Sequence, residues 1–493
     1  MSFDKQITVT PEQFSDLGFI DIAQAGKNLD LLRSRLGQEF SSVLPVVLSC
    51  LSGSADPDMA LNNLERFTAG LTDVPSFIAC CGDMRDFLPS FITLFGASRF
   101  LSAFLVADPD KGLKFITDTD RLAQPAGKAR LINRFERMRE SGDDEKTFFR
   151  SLRLFRKQEM LRIALWDLLG RADLQETVSE LSALAEVCLQ KAHEWADAAL
   201  RRRHGRPVVG GPEAEILPAG FAVIAMGKLG GRELNFSSDV DLMYVYTMDG
   251  ETEGVAAPDG IVTGRITNHQ YFIKLAEKLS AAINEKTEDG FVFRVDLRLR
   301  PEGQRGPLAQ SLGGYEIYYE SWGQTWERSA LLKARPVAGD EVVGDEFMKR
   351  ILPFVYRKYL DFGAIAEIRE MKRKINRDVE LKGRTHRDVK LGYGGIREIE
   401  FVVQALQLIY AGADRSLREA NTLKALHTLS RKGLITYREH DDLAKAYVFL
   451  RTVEHRLQVL DDLQTQTLPD GEQELRALAR RAGYLERGRE AEL

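Results

Sequence analysis

The stretch GKLGGRELNFSSDVDLMYVY, residues 227–246, places a glycine-rich turn, two serines and an Asp-Val-Asp triplet before an apolar strand. Asp239 and Asp241 are two positions apart, and alternate side chains of a strand point to the same face. Two carboxylates on one face repel each other, and burying them is unfavourable unless a cation compensates their charge. The pattern therefore predicts a cation site at the start of this strand.

A third carboxylate follows on a later predicted strand. In DGFVFRVDLRLRP, which begins at Asp289, apolar side chains alternate with arginines and with Asp296, so the sequence predicts one long strand with a polar face. If this strand pairs beside the first, Asp296 converges with Asp239 and Asp241. The alternative is that Asp296 only forms an ion-pair ladder with the arginines that flank it.

Three carboxylates without a nearby histidine or cysteine favour a hard divalent ion, and Mg²⁺ or Mn²⁺ is the expected cofactor. One or two ions could bind, and two ions would clamp the attacking and leaving oxygens of an in-line phosphoryl transfer. The predicted catalytic residues and metal ligands are Asp239, Asp241 and Asp296.

A phosphate site is predicted beside the carboxylates. Glycines let backbone N–H groups approach a phosphate closely, serine hydroxyls add donors, and arginines favour bound phosphate. The turn is neither a P-loop nor a dinucleotide fingerprint. In the predicted helix 396–410, a polar stripe that includes Glu400 faces either a nucleotide cleft or solvent. The candidate phosphate- or nucleotide-binding residues are Gly227, Lys228, Gly230, Gly231, Ser237, Ser238, Arg298, Arg300 and Glu400.

The periodicity of apolar residues divides the chain into three predicted domains. Spacings of three and four over residues 1–205 and again over 351–493 indicate helices, whereas residues 206–350 contain short apolar runs bounded by turn signals. The expected fold class is α+β, with a mixed sheet between two helical domains. The basic run KRKINRDVELKGRTHRDVK, from Lys372 to Lys390, is interpreted as a solvated helix face, with a binding patch as the alternative.

Composition excludes several classes of function. The 493 residues include 68 basic and 73 acidic side chains, a net charge of −5 that gives no reason to expect nucleic-acid or membrane-surface binding. No apolar run approaches the roughly 18 residues of a membrane span, and no secretory signal is visible. The four cysteines fit neither a disulfide framework nor a zinc site. We therefore expect a cytoplasmic protein with reduced core thiols, no nucleic-acid partner and no membrane association.

The order of strand, glycine turn and Asp-Val-Asp on the next strand, with a third Asp later, resembles the nucleotidyltransferase superfamily of DNA polymerase beta. In that superfamily a Gly or Ser usually stands where this chain has Lys228. The resemblance implies a polymerase-beta-like nucleotidyltransferase mixed sheet flanked by N-terminal and C-terminal helical domains.

Several longer stretches resemble the glutamine synthetase adenylyltransferases, bifunctional regulators of glutamine synthetase. They are GKLGGRELNFSSDVDLMYVY from Gly227, RVDLRLRPEGQRGPLAQSL from Arg294, WERSALLKARPVAGD from Trp326 and GGIREIEFVVQALQLI from Gly394. Members of that family carry two nucleotidyltransferase domains. The N-terminal one removes AMP from a tyrosine of glutamine synthetase by phosphorolysis and releases ADP, and the C-terminal one attaches AMP from ATP. ELNFSSDVDL and GGIREIEF resemble the deadenylylating half.

The resemblance implies that this chain, which shows one copy of the domain, is a deadenylylating fragment, split product or truncated form. The implied partners are glutamine synthetase, a PII signalling protein, ATP or ADP, and phosphate. Three alternatives stay open: adenylylation of glutamine synthetase from ATP, extension of a nucleic acid, and a non-catalytic docking module for glutamine synthetase or a PII protein.

Overall fold

The computed structural model describes residues 9–83, 86–122, 125–139, 144–210, 216–357 and 387–484, and also residues 366, 370, 373 and 377. Most of the basic run from Lys372 to Lys390 therefore lies outside the described residues, which include residues 373, 377 and 387–390 of it. The chain forms two compact units, each assembled from separate segments. The first consists of Met1–Pro125, Lys157–Thr177 and Arg451–Leu493, and the second of Ala126–Arg156 and Val178–Leu450. The predicted division at residues 205 and 350 stays a prediction.

Helices make up most of the described chain. In chain order they are α1 (Pro11–Asp16), α2 (Ile22–Leu36), α3 (Phe40–Gly53), α4 (Pro57–Ala69), α5 (Val74–Asp83), α6 (Phe87–Ala97), α7 (Arg99–Ala107), α8 (Pro109–Thr117), α9 (Thr119–Leu122), α10 (Gly127–Met138), α11 (Glu145–Leu168), α12 (Leu174–His204), α13 (Gly227–Gly230), α14 (Asn268–Asn284), α15 (Leu312–Ser321), α16 (Thr325–Leu331), α17 (Glu341–Val355), α18 (Ile396–Tyr410), α19 (Thr422–Arg431), α20 (Tyr437–Asp461) and α21 (Glu472–Arg481). Two short 3-10 helices cover Gly303–Arg305 and Arg415–Leu417.

The first unit is helical in its described residues, as predicted, and has an aromatic core. Phe91 lies at its centre, with ring centroids 4.7 Å from Phe67 and 4.4 Å from Phe95 in edge-to-face arrangements. Ser98 ends α6 and caps α7, because its hydroxyl accepts a hydrogen bond from the Leu101 N–H. Among the described residues, no single helix is long and apolar enough to cross a membrane. Only α6 and α7 together meet that test, and they are bent by 119°.

The second unit contains the strands. They are β1 (Pro207–Val209), β2 (Leu217–Pro218), β3 (Phe221–Ala225), β4 (Asp239–Tyr246), β5 (Glu251–Thr252), β6 (Val255–Ala256), β7 (Val262–Thr263), β8 (Arg294–Asp296), β9 (Ala309–Ser311) and β10 (Arg335–Gly339). The main sheet has the order β10-β3-β4-β8, and β9 also pairs with β4. β4 is antiparallel to β3 but parallel to β8 at its beginning and to β9 at its end. The sheet is therefore mixed, and the α+β class is confirmed.

Helices cover the sheet and form its core. The apolar stripe predicted for α14 is buried, with Phe272, Leu275, Leu279 and Ile283 each at most 1% exposed. On α14 a capping box between Thr267 and Gln270 satisfies the first-turn N–H groups. β3 and β4 run through this core. β3 ends at the glycine turn and β4 begins with the Asp-Val-Asp triplet, so the buried part of the sheet holds the candidate site.

Two predictions about local structure need correction. The long strand expected from Asp289 is short, since only Arg294–Asp296 is a strand and the chain turns after it. The thiols are free, but only Cys188 is a buried core side chain, and the other three cysteines are half-buried.

Candidate active site

The three predicted carboxylates lie on one face of the sheet. β4 and β8 pair in parallel, with Asp239 opposite Arg294 and Asp241 opposite Asp296. Register partners in neighbouring strands share a face, as do residues two apart in one strand. The pairing of these two strands, which the sequence left conditional, therefore brings Asp239, Asp241 and Asp296 together.

Asp241 occupies the centre of this group and is mostly buried. Burial, followed by the negative charges of Asp296 and Asp239, raises the pKa of the Asp241 carboxyl to about 6. Lys390 and, less strongly, Arg298 act in the opposite direction on that pKa. Within the described residues, no side chain forms a hydrogen bond or an ion pair with the Asp241 carboxylate. It is thus a buried anion whose charge is not compensated by contact.

Arginines compensate the two outer carboxylates. Arg294 Nε donates to Asp239 Oδ1 at 2.7 Å, and the same guanidinium donates to the Ser237 carbonyl and hydroxyl oxygens. Arg298 Nε lies 3.0 and 2.9 Å from the two Asp296 oxygens. The hydrogen bond from Arg298 is the main reason that the pKa of Asp296 is lowered. The ion-pair interpretation of Asp296 therefore describes one part of the site, beside the convergence of the carboxylates.

The described residues contain no group of three or more His, Cys, Asp or Glu side chains already arranged to hold a metal ion. The donor set nevertheless suits a hard cation, because Asp241 offers a buried and uncompensated carboxylate with two others beside it. Asp241 would be the central ligand. Asp296 could bind the ion only if Arg298 leaves one of its carboxylate oxygens available or moves away.

The glycine turn lies against Asp241. Gly227 has φ +53°, and a Cβ added there would come within 2.4 Å of Asp241 Oδ2. The turn is closed by its own backbone, since the Gly230 and Gly231 N–H groups donate to the carbonyls of Met226 and Gly227. Both N–H groups are therefore already used, and a phosphate contact from either would require the turn to open.

The other predicted residues of this turn also have local partners. Ser237 Oγ accepts from Arg294, and Ser238 Oγ accepts from the Asn235 N–H at 3.3 Å. Lys228 is half-exposed, and its carbonyl accepts from the Glu233 N–H. The structure thus brings these residues next to the carboxylates but shows the serines supporting the turn and the ion pair.

Arg300 is not at the surface of the site. It is 8% exposed and donates to the carbonyls of Leu297, Gln304 and Gly306, which closes the loop after β8. The predicted alternation placed it beside Arg298, but the strand ends at Asp296 and the polar face does not continue. Arg298, by contrast, is largely exposed and remains beside Asp296.

Glu400 takes part in a buried ion pair. Its carboxylate lies 3.5 Å from Lys333 Nζ, and Lys333 also binds Glu233 at 2.5 Å. On the same polar stripe Gln404 Oε1 accepts from the Ser329 hydroxyl and Gln407 is buried, whereas Arg397 is exposed. The stripe therefore does not face a single environment, and nucleotide binding by Glu400 stays a prediction.

Sequence reasoning missed Glu233 and Lys390 as members of this region. Glu233 connects the end of the glycine turn to Lys333 and accepts from the Thr422 N–H. Lys390 acts on Asp241 from a segment more than 140 positions later. Neither belongs to the Asp-Val-Asp pattern. Glu233 lies within a quoted resemblance stretch, and Lys390 is the last residue of the basic run from Lys372, which was interpreted as a solvated helix face.

Comparison with known proteins gives two family matches. The family model described as glutamate-ammonia ligase adenylyltransferase matches residues 88–350, and a model described as GlnD PII-uridylyltransferase matches residues 369–493. The first covers more than half of the chain.

Curated relatives agree with the first match. Proteins named bifunctional glutamine synthetase adenylyltransferase/adenylyl-removing enzyme are 43% identical over 415 residues in Thioalkalivibrio sulfidiphilus, 40% over 403 residues in Hahella chejuensis and 42% over 385 residues in Pseudomonas aeruginosa. These alignments cover 84%, 81% and 78% of this chain but 41%, 40% and 38% of the relatives. The chain thus spans about two fifths of the length of these relatives. The resemblance carried by the quoted motifs is confirmed, and the chain belongs to the glutamate-ammonia ligase adenylyltransferase family.

Proposed function

We propose that this chain removes AMP from the adenylylated tyrosine of glutamine synthetase by phosphorolysis. The observation that carries the proposal is the register of β4 and β8, which places Asp296 beside the uncompensated Asp241 and near Asp239. The names of the relatives include an adenylyl-removing activity. The direction of the reaction is supported by ELNFSSDVDL and GGIREIEF, which resemble the deadenylylating half of the family.

The proposed reaction exchanges one P–O bond for another. An oxygen of inorganic phosphate forms a bond to the adenylyl phosphorus while the bond from that phosphorus to the tyrosine oxygen breaks. ADP is released, and the tyrosine oxygen takes up one proton, which balances the proton that hydrogen phosphate loses. No covalent intermediate with the protein is needed, so catalysis consists of positioning and charge neutralisation.

Each residue of the site has a separate role in the proposed reaction. Asp239, Asp241 and Asp296 would hold Mg²⁺ or Mn²⁺, which when bound neutralises charge that develops on the phosphoryl oxygens. Arg298, exposed at the edge of the carboxylate group, would bind the attacking phosphate. Gly227 lets the turn approach Asp241 and so fixes the position of its carboxylate.

We also propose partners for this activity. Glutamine synthetase would be the protein substrate, ADP and phosphate the small-molecule ligands, and a PII signalling protein a regulator. The match of residues 369–493 to a PII-uridylyltransferase model supports a link to PII signalling. A second candidate function is adenylylation of glutamine synthetase from ATP, because the names of the relatives include an adenylyltransferase as well as an adenylyl-removing activity.

The test uses the whole chain with adenylylated glutamine synthetase, Mg²⁺ and phosphate, and measures ADP. A parallel reaction contains ATP and unmodified glutamine synthetase, and pyrophosphate is measured. We expect ADP in the first reaction and no pyrophosphate in the second. Pyrophosphate alone would mean that the chain adenylylates, and neither product, with or without a PII protein, would favour a docking module.

Two variants connect the result to the site. Asp241→Asn should abolish ADP formation, whereas Asp345→Asn, which changes an exposed carboxylate on α17, should leave it unchanged. Full activity of Asp241→Asn would refute the site even if the wild type forms ADP.

A further inference from the structure

Lys390 has no counterion among the described residues. It lies half-buried in the segment 387–395, immediately before α18. In the part of the chain that the structure describes, its ammonium forms no hydrogen bond and no ion pair. Asp241 is likewise without a contact partner there, and Lys390 is the cation that acts on it most strongly. Within the described residues, the Lys390 ammonium and the Asp241 carboxylate thus interact electrostatically but form no hydrogen bond or ion pair with each other.

The backbone of the Lys390 segment is fixed by its own hydrogen bonds. Asp388 Oδ1 accepts from the N–H groups of Lys390 and Leu391 at 2.9 and 2.8 Å. The Lys390 carbonyl accepts from the Arg397 N–H in the first turn of α18. A Cβ at Gly395 would lie 2.8 Å from that carbonyl, so the segment folds closely onto the start of the helix. The position of Lys390 is therefore tied to the position of α18.

Helix α18 is in turn attached to the glycine turn of the site. Glu400, on the second turn of α18, binds Lys333, which also binds Glu233 at the end of the glycine turn. The Lys333 carbonyl packs so closely on Gly230 that a Cβ there would lie 1.9 Å from its oxygen. A second attachment comes from α19, where Asn421 Nδ2 donates to the Gly231 carbonyl and Thr422 N–H to Glu233. These contacts hold α18 and its leading segment against the glycine turn, whose first residue, Gly227, lies against Asp241.

A phosphoryl group suits a site that combines Asp241 with Lys390. The carboxylate suits a divalent cation, and the ammonium suits an anionic oxygen. A lysine ammonium is a compact point charge with three donors and commonly binds phosphate. Phosphoryl oxygens that contact the cation on one side could accept from Lys390 on the other.

We propose that the Lys390 ammonium binds a phosphoryl oxygen of the reacting groups, which makes the segment before α18 part of the active site. The inference rests on the proposed function and adds a residue from outside the mixed sheet. Lys390 is a binding residue in this scheme, and Lys333, Glu233 and Glu400 position it. The phosphoryl oxygen belongs either to the attacking phosphate or to the adenylyl group.

Steady-state kinetics of deadenylylation distinguish these two sources. Lys390→Ala should raise KM roughly tenfold or more, the effect of losing a charge-assisted hydrogen bond. A rise in KM for phosphate places Lys390 on the attacking phosphate, and a rise in KM for adenylylated glutamine synthetase places it on the adenylyl group. Lys390→Arg should recover much of the loss, because the positive charge is kept. Lys445→Ala removes an exposed lysine that pairs with Asp441 and serves as the matched control.

A binding measurement separates failure of this inference from failure of the proposed function. Titration calorimetry of the whole chain with ADP and Mg²⁺ should show a dissociation constant raised roughly tenfold in Lys390→Ala and nearly unchanged in Lys445→Ala. If the wild type forms no ADP from adenylylated glutamine synthetase, this titration still decides the role of Lys390. Values within twofold of the wild type in Lys390→Ala would overturn the inference, as would a wild type that binds no ADP.

Discussion

The Lys333 ammonium lies 2.5 Å from the Glu233 carboxylate, and the two side chains are only 9% and 3% exposed. Glu400 and the Thr422 hydroxyl complete the surroundings of the same ammonium. This buried group connects the glycine turn with α18 and α19, so the position of the turn depends on residues far along the chain.

Removing Lys333 should destabilise the second unit strongly. Lys333→Met leaves Glu233 buried without its counterion, and breaking such a pair lowers the free energy of unfolding by about 3–5 kcal/mol. Lys333→Met combined with Glu233→Leu should be less destabilising than Lys333→Met alone, because no charge is then left unpaired. Urea unfolding of both variants, with the exposed Lys349→Met as control, measures the difference.

The contribution of this pair should not depend on pH near neutrality. Burial lowers the pKa of Lys333, but the negative charges of Glu233 and, next, Glu400 raise it by more than burial lowers it. The pKa therefore lies above the ordinary value of lysine. A raised pKa gives stability that is fully present below the ordinary value of lysine and is lost only at higher pH. A difference between Lys333→Met and the wild type that changes between about pH 6 and 9 would contradict this assignment.

Gly227→Ala should reduce activity more than stability. The positive φ at this position disfavours alanine by roughly 1–2 kcal/mol, and the new methyl group would meet Asp241 Oδ2. The carboxylate would have to move away from Asp239 and Asp296. We expect loss of most ADP formation with a modest decrease in the unfolding midpoint. Gly260→Ala, at φ +82° with open space around it, reproduces the backbone strain alone and should retain activity.

The carboxylate group could be predicted because strand alternation is a local property. Asp239 and Asp241 share a face whenever their segment is a strand, and an apolar run after them makes a strand the favoured structure. The pairing with Asp296 needed only two neighbouring parallel strands. These features depend on few residues and little on the rest of the fold.

Other features depend on distant contacts and could not be predicted. The polar stripe of α18 did not indicate the buried ion pair of Glu400, because its partner Lys333 is 67 positions away. The strand through Arg300 was predicted too long, although Pro301 and Gly303 were turn signals that could have ended it. Lys390 ends a basic run that was interpreted as a solvated helix face, and only the tertiary structure relates it to Asp241.

Arg298 and Arg300 should respond differently to substitution. Arg300→Leu removes the side-chain donor of the Gln304 and Gly306 carbonyls in the loop after β8, while the Leu297 carbonyl keeps the residue 300 N–H, and should lower the free energy of unfolding by about 2–3 kcal/mol. Arg298→Ala should leave stability nearly unchanged because the side chain is exposed. Its kinetic effect should be a raised KM for phosphate, while Mn²⁺ binding tightens because Asp296 is released. Equal losses of stability in both variants would contradict the burial difference.

Asp241→Asn should stabilise the metal-free protein in a pH-dependent way. The pKa of Asp241 is raised from 3.8 to about 6, so the folded state binds its proton more tightly than the unfolded state does. The contribution of Asp241 to the free energy of unfolding is therefore most favourable below about pH 4 and decreases between about pH 4 and 6. Above pH 6 it stays lower by at most about 3 kcal/mol. In a chelator at pH 8, Asp241→Asn should unfold at a higher urea concentration than the wild type, and the difference should vanish near pH 4. Added Mg²⁺ should stabilise the wild type and not the variant. Parallel pH profiles of the two proteins, with Asp345→Asn as the control, would show that Asp241 is not the uncompensated charge of this site.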